Sequence, residues 1–244
     1  MNKLKTIGIV ESRMGSSRLP GKALLKIGSK ESIFFLIERL KKSKQIDQII
    51  VATTISKKDD KLVSILKKKK IIFFRGSENN VLKRVYEAAK KFRGDIIVEL
   101  SGDSPFLDNQ IIDDSLIFFK KNIFLDYANI GYNYPGGLGF QIFNFKTLKK
   151  CFQGSKTQYE KEHVTPYIIS NPKLFNSFYF VAPKKLSYPN IQLLLDEKKD
   201  LLFLNEVANL MYKKKNTSIE NLLKSIINSK INKINATVNR TKIK

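Results

Sequence analysis

Short apolar runs alternating with amphipathic stretches fill the first half of this chain, and that alternation leaves few folds open to it. "KTIGIV", "QIIVATT", "IIFFRG" and "DIIVEL" read as strands, β-branched and too short for helices. Between them, "SIFFLIERLKKSK" sets Ile33, Phe34, Ile37 and Leu40 on one helical face. "DDKLVSILKKKK" opens with acidic residues suited to a helix N-terminus, and "ENNVLKRVYEAAKKF" repeats the helical spacing through Val81, Leu82, Val85, Ala89 and Phe92. "NQIIDDSLIFFKKN" is a further helix. The pattern predicts an α/β protein: a doubly wound, mostly parallel sheet covered on both faces. Ligands bind such sheets beyond the carboxyl ends of the strands. The loop after the first strand and "SGDSP" (101–105) both fall there.

The regularity breaks near Asp126. "YNYPGGLGFQIFNF" reads as a turn and a strand, and "YEKEHVTPYIISNP" as a helix closed by Pro172. "FNSFYFVAP" and "NIQLLLD" read as strands before a long helix, "KKDLLFLNEVANLMYKKK". Residues 126–185 are thus expected to form a small inserted α+β lobe that returns to the sheet, within a main domain of residues 1–212. Residues 213–244 are expected to be a C-terminal helix followed by a basic, polar, loosely held tail.

The loop "ESRMGSSRLPGKALLKIG" (11–28) holds three glycines, three serines and two arginines. Five residues separate Gly15 from Gly21, and Ala23 follows Lys22, so it is not a Walker A loop; the dinucleotide fingerprint GxGxxG is absent. The physics is still that of an anion site. Gly15 and Gly21 let the backbone approach a ligand and turn N–H groups toward it, Arg13, Arg18 and Lys22 supply charge, and Pro20 stiffens the turn. The alternative is a merely flexible surface loop with its cations spread apart.

The chain carries 45 basic and 22 acidic residues, a net charge of +23. Only seven of the basic residues are arginine, and the lysine runs (67–70 and 213–215) close predicted helices. Nucleic-acid readers lean on arginine and interleave aromatics, so the charge reads as solvated lysine faces and no nucleic-acid partner is expected. Cys151 is the single cysteine, which excludes an internal disulfide, and no apolar stretch is long enough for a signal-peptide core or a bilayer span. A cytoplasmic protein without membrane insertion is expected.

"RMGSSRLPGKAL", "VATT" with the acidic "KKDD" after it, "FFRGSENNVLKRVYEAAKKF", "GDSPFLD", "YEKEHVTPYI" and "LLLDEKKDL" follow one another in an order that resembles the cytidylyltransferases activating acidic sugars. These are the sialic acid and 3-deoxy-manno-octulosonate (KDO) enzymes and, above all, the spore-coat-polysaccharide type. The resemblance covers roughly 200 residues, Lys5 to about Met211. It implies a nucleotide-diphospho-sugar-transferase-like, Rossmann-like fold whose insertion helps form a homodimer. The implied reaction joins the CMP of CTP to a sugar-acid hydroxyl and releases pyrophosphate, with Mg²⁺ as cofactor.

The resemblance also implies roles. Arg13 and Lys22 match the residues that hold the triphosphate, with Ser16, Ser17 and the loop amides as further donors. Arg18 shares that role or pairs with a carboxylate. Asp103 and Asp196 match the two carboxylates that hold Mg²⁺; read without the resemblance, each is a capping residue. Arg75, beside Gly76, contacts the cytosine or a phosphate, or is a surface cation at a strand end, and Ser101 stands where relatives place a base-contacting residue. His163, with Tyr159 and Glu162 on the same predicted helix, is either a substrate-side group or a satisfied structural histidine.

Relatives often carry "YPDGLD" where this chain has "YPGGLG", with Gly136 and Gly139 at the acidic positions, so the acceptor differs or is gripped by Gln141 instead. Two other functions stay open. One is nucleotidyl transfer from another nucleotide or to a phosphonate or other small acid. The other is a non-enzymatic, basic polyanion-binding protein on the same fold.

Overall fold

A computed structural model describes residues 3–213 and 218–238. The chain runs β1 (Thr6–Glu11), a single 3-10 turn (Lys22–Leu24), and two short strands, β2 (Lys26–Ile27) and β3 (Lys30–Glu31). Then come α1 (Ser32–Leu40), β4 (Gln48–Thr54), α2 (Asp60–Lys68), β5 (Phe73–Gly76), α3 (Val81–Lys91), β6 (Ile96–Ser101) and α4 (Asn109–Lys121). The second half holds β7 (Tyr127–Tyr132), β8 (Phe140–Asn144), α5 (Phe145–Gly154), α6 (Gln158–Glu162), α7 (Pro166–Ser170), β9 (Ser177–Val181), α8 (Lys198–Lys213) and α9 (Ile219–Ser229).

Seven strands form one sheet in the order β5-β4-β1-β6-β8-β7-β9, with β2 and β3 paired separately. β5, β4, β1 and β6 are parallel, β8 is antiparallel to both its neighbours, and β9 runs parallel to β7. The chain moves outward from β1 through β4 to β5 and then returns to β6 on the other flank of β1. The carboxyl ends of β1 and β6 therefore flank the switch point where such sheets bind ligands.

The strands bury both faces, as their near-continuous apolar runs require. Ile7, Ile9, Ala52, Ile97 and Phe143 pack with α3, α5 and α7 on one side, where Leu82, Val85, Ala88, Leu148 and Ile168 meet them. Val10, Val51, Val98, Leu100 and Ile142 pack on the other with α1, α2, α4, α8 and α9. Residues 126–185 contribute β7, β8 and β9 to the main sheet and carry α5 to α7 between the last two. β7 is a strand that "YANIGY" hides, because its glycine and asparagine break the β-branched pattern.

Three expectations need correction. "NIQLLLD" is not a strand: it makes one isolated bridge, Gln192 to Gly136. It crosses the ends of strands, its Leu193 and Leu195 N–H groups donating to Gly136 O and Asp103 O, while Ile191, Leu193 and Leu195 turn inward in strand-like alternation. The single helix expected over "YEKEHVTPYIISNP" is broken between α6 and α7. His163 caps α6 in an extended conformation (φ −120°, ψ 133°), and Pro166, lacking an N–H, restarts the chain at the first turn of α7. The start of the C-terminal tail is anchored, not loose. Asn235, 3% exposed, donates to Gln192 O at 3.0 Å and to Asp200 Oδ1 at 2.9 Å. Lys213 ends α8, whereas the rest of that lysine run and the last six residues, 239–244, lie outside the described residues.

Candidate active site

The loop that leaves β1 is tied down at three points. Ser12 N–H donates to Ala52 O of β4 at 3.2 Å, Met14 N–H to the Asp59 carboxylate at 2.7 Å, and Gly21 N–H back to Met14 O at 3.0 Å. Gly21 has φ +73°, a left-handed conformation that only glycine takes cheaply. Asp59 is 1% exposed and also accepts from the Thr53 and Thr54 hydroxyls and from Thr54 N–H. Burial opposes its ionisation, but the hydrogen bonds from Thr54, Met14 and Thr53 outweigh burial and hold its pKa below the usual carboxylate value. With the loop pinned, the N–H groups of Gly15, Ser16, Ser17 and Arg18 donate to no protein acceptor among the described residues. They form an open row of donors.

Below this loop the two sequence-distant aspartates meet. Lys22, 8% exposed, places its Nζ against Asp103 Oδ2 at 2.5 Å and Asp196 Oδ1 at 2.9 Å, and Arg18 reaches Asp196 Oδ2 at 3.3 Å. Neither aspartate is the cap that its sequence position also suggested. The N–H groups of Asp196 and Glu197 are taken by Asp200, which is fully buried in the first turn of α8, so the Asp196 carboxylate is free to face the crevice. Asp108, not Asp103, caps α4. Gly102 brings the β6 end against β1: its N–H donates to Glu11 O at 2.8 Å, and a Cβ there would lie 2.6 Å from that oxygen. Burial in the crevice raises the pKa of Asp103, Lys22 offsets it, and the neighbouring Asp196 adds to the rise.

These groups line a crevice of about 350 Å³ at the switch point. Arg13, Ser16, Ser17, Arg18, Lys22, Ser101, Asp103, Glu162, His163 and Asp196, ten of the residues singled out in the sequence, lie on its walls. Gly15 stays in the exposed part of the loop, where a Cβ would meet nothing within 4 Å; the fold itself does not demand glycine there.

Arg75 is elsewhere. Its guanidinium donates to Thr54 O and Ser56 O at 2.8 and 2.9 Å and pairs with Asp60 at 2.8 Å, fastening the end of β4 to α2. Those contacts fit the reading of Arg75 as a cation at a strand end, and it does not line the crevice. Tyr159 is exposed on α6, its ring 4.8 Å from that of His163, and does not line the crevice. Gln141 lies on β8, accepting from the Tyr127 hydroxyl at 2.9 Å. Gly136 and Gly139 are outside the crevice as well. A Cβ on Gly136 would meet only the end of the Gln192 side chain, so a carboxylate at this position needs that side chain to swing aside.

Sequence reasoning passed over four residues at or under the crevice: Glu11, Asp59, Arg84 and Glu99. Asp59 read only as a helix opener. Arg84, on α3, is 2% exposed, lines the crevice, donates to Ser77 O, and leaves its Nε without a partner among the described residues. Its signal was there: an arginine inside the core-facing stripe of a helix in a chain that otherwise uses lysine. Glu11 lines the crevice floor and Glu99 lies beside it on β6. Burial raises both pKa values; Arg84 holds Glu11 back, whereas the Glu11 charge pushes Glu99 well above the glutamate value of 4.5.

The arrangement offers a cationic cradle with free N–H donors above two hard-oxygen carboxylates. Cys151 plays no part in it: the thiol is buried in the core and pushed up to about 12 by desolvation. Among the described residues no cluster of three or more His, Cys, Asp or Glu gathers to cage a metal. Two carboxylates are what Mg²⁺ ordinarily takes from a protein when phosphates and water complete its shell.

The chain is 43% identical over 197 residues to the uncharacterized protein MJ1063 of Methanocaldococcus jannaschii, covering 81% of this chain and 80% of that one. It is 34% identical over 199 residues to the spore coat polysaccharide biosynthesis protein SpsF of Bacillus subtilis, covering 79% and 81%. The solved structure of a cytidylyltransferase from Leptospira borgpetersenii superposes with a TM-score of 0.89 at 30% identity, covering 98% of this chain and all of that one. The cytidylyltransferase family model matches residues 7–229, and the chain belongs to that family.

Proposed function

We propose that this protein transfers CMP from CTP to a hydroxyl of an acidic sugar and releases pyrophosphate. The observation that carries the reading is the convergence of Lys22, Asp103 and Asp196 beneath a loop whose N–H groups from Gly15 to Arg18 have no protein acceptor among the described residues. The reaction forms a bond from the acceptor oxygen to the α-phosphorus, breaks the bond from that phosphorus to the bridging oxygen, and releases the hydroxyl proton. Most of the protein's work is to align the reactants and neutralise charge. Arg13, Arg18, Ser16, Ser17 and the loop amides hold the phosphates, and Lys22 balances the aspartates. Asp103 and Asp196 are the Mg²⁺ ligands, and the bound ion supplies charge neutralisation at the phosphates. Ser101, Glu162 and His163 complete the walls on the nucleoside and acceptor sides. CTP supply sets the reaction in the cytoplasm.

Pyrophosphate release measured over a panel of nucleotides and acids tests the proposal. CTP with Mg²⁺ and a sugar acid is expected to turn over, and Asp103→Asn to abolish turnover in a folded protein. Release from UTP or GTP but not CTP, or with phosphonates alone, would reassign the substrate. Homodimerisation belongs to the same reading. β9 ends the sheet with Tyr179 and Val181, 51% and 59% exposed, and an open apolar edge invites pairing. Sedimentation showing only monomer at micromolar concentration would remove that part.

A further inference from the structure

The parallel strands β4, β5, β6 and β7 are all entered from the sheet edge opposite the crevice, so α1 to α4, which precede them, end there. Each closes on lysines: Lys41 and Lys42, the run 67–70, Lys90 and Lys91, and Lys120 and Lys121. A helix end brings only about half a negative charge to offset them. The turns that follow hold three carboxylates, Asp47, Asp95 and Asp126, and all are occupied. They accept from the N–H groups of Thr6, Lys5 and Asn176 at 2.8, 2.8 and 3.1 Å. The carboxylates of Glu11, Asp103 and Asp196 lie at the crevice end instead.

The same edge exposes apolar side chains. Leu4, just before β1, is 55% exposed, and Ile123 and Phe124, in the turn into β7, are 92% and 64% exposed. That turn is held firmly. Leu125 N–H donates to Asn122 O at 2.9 Å, and the Asn176 side-chain amide donates to Phe124 O at 3.1 Å. Its backbone is fixed while two large apolar side chains meet water, where turn chemistry favours small polar residues. β1 and β7 stand three strand spacings apart in the sheet, about 14 Å. Leu4 and the Ile123–Phe124 tip are thus apolar points within one cationic field.

We propose that this edge docks the protein on an anionic lipid surface, with the lysines at the headgroups and Ile123 and Phe124 entering the acyl boundary. The crevice, at the opposite edge, stays open to solvent, and the inference does not depend on the cytidylyl-transfer reading. A second copy suits this edge poorly, because a two-fold contact would set lysine against lysine. Nucleic acid suits it poorly as well. Arg93 is the single arginine in these turns, and one aromatic tip makes no stacking row.

Flotation of the full-length protein with vesicles tests the docking, using phosphatidylcholine alone and phosphatidylcholine with about a third phosphatidylglycerol. Binding is expected to the mixed vesicles only, and to fall as salt rises. Lys42→Gln, Lys44→Gln, Lys90→Gln and Lys121→Gln, all at exposed positions, are together expected to weaken it about tenfold or more. Removing the same charge near the crevice, with Lys57→Gln, Lys58→Gln, Lys61→Gln and Lys83→Gln, is expected to change it less than about twofold. Phe124→Ser leaves the charge unchanged. It is expected to weaken binding about tenfold while the melting temperature and oligomeric state stay those of the wild type. Equal binding to both kinds of vesicle, equal losses in the two lysine variants, or full binding by Phe124→Ser would overturn the inference. So would a short RNA bound in salt that releases the vesicles, or a dimer that Phe124→Ser dissociates.

Discussion

Lys22 touches both Asp103 and Asp196, so removing either carboxylate charge leaves a buried ammonium underpaired and takes away one of the two proposed Mg²⁺ ligands. Asp196→Asn is expected to lower turnover about 100-fold or more while circular dichroism stays native. Glu99 makes a separate prediction about stability. Glu99 has a folded-state pKa raised well above 4.5, so its contribution is fully present below pH 4.5 and is lost as pH rises through the folded value. Glu99→Gln does not titrate. Its melting temperature is therefore expected to gain on the wild type as pH rises from 4.5 and to level off above the folded pKa. A constant difference between pH 4 and 9 would contradict the raised pKa of Glu99. Residues whose charge belongs to a recognised motif, such as Arg13 and Asp103, were legible in the sequence. Glu11, Glu99 and Arg84 were not, because each sits at a position whose periodicity reads as core and only the strand register brings them together.

The strands and helices of the first half were legible because their apolar runs are buried on both faces and their helices are amphipathic. β7 and the 190–196 segment were misread for opposite reasons. β7 has a single β-branched residue, Ile130, yet is held by neighbours on both sides, whereas 190–196 alternates like a strand but makes only an isolated bridge. What positions this segment is Asp200, which gathers the N–H groups of Asp196 and Glu197 and the side chain of Asn235. Asp200→Ala is expected to cost about 1–3 kcal/mol in denaturant unfolding. It should also lower activity by displacing Asp196, and unchanged activity would show that the segment is positioned by other contacts. At the opposite wall, Asp59→Ala frees Met14 N–H and both threonine hydroxyls, and is expected to weaken CTP binding about tenfold with a smaller effect on kcat.

Across the whole molecule, the C-terminal segment closes onto the site from behind. Asn235 joins the 190–196 segment to α8, although the family match ends at residue 229. Deleting residues 231–244 is expected to lower the melting temperature and reduce turnover more than a surface truncation would, and a fully active truncated protein would contradict that coupling. Three walls of the crevice come from chain segments that only the sheet brings together: the loop after β1, the end of β6 and the approach to α8. The most direct measurement of their joint role is calorimetric titration of CTP with and without Mg²⁺, on the wild-type protein and on Asp103→Asn. Tight binding that depends on Mg²⁺ in the wild type and loses that dependence in the variant is the predicted result; no CTP heat in the presence of Mg²⁺, or identical isotherms for both proteins, would contradict it.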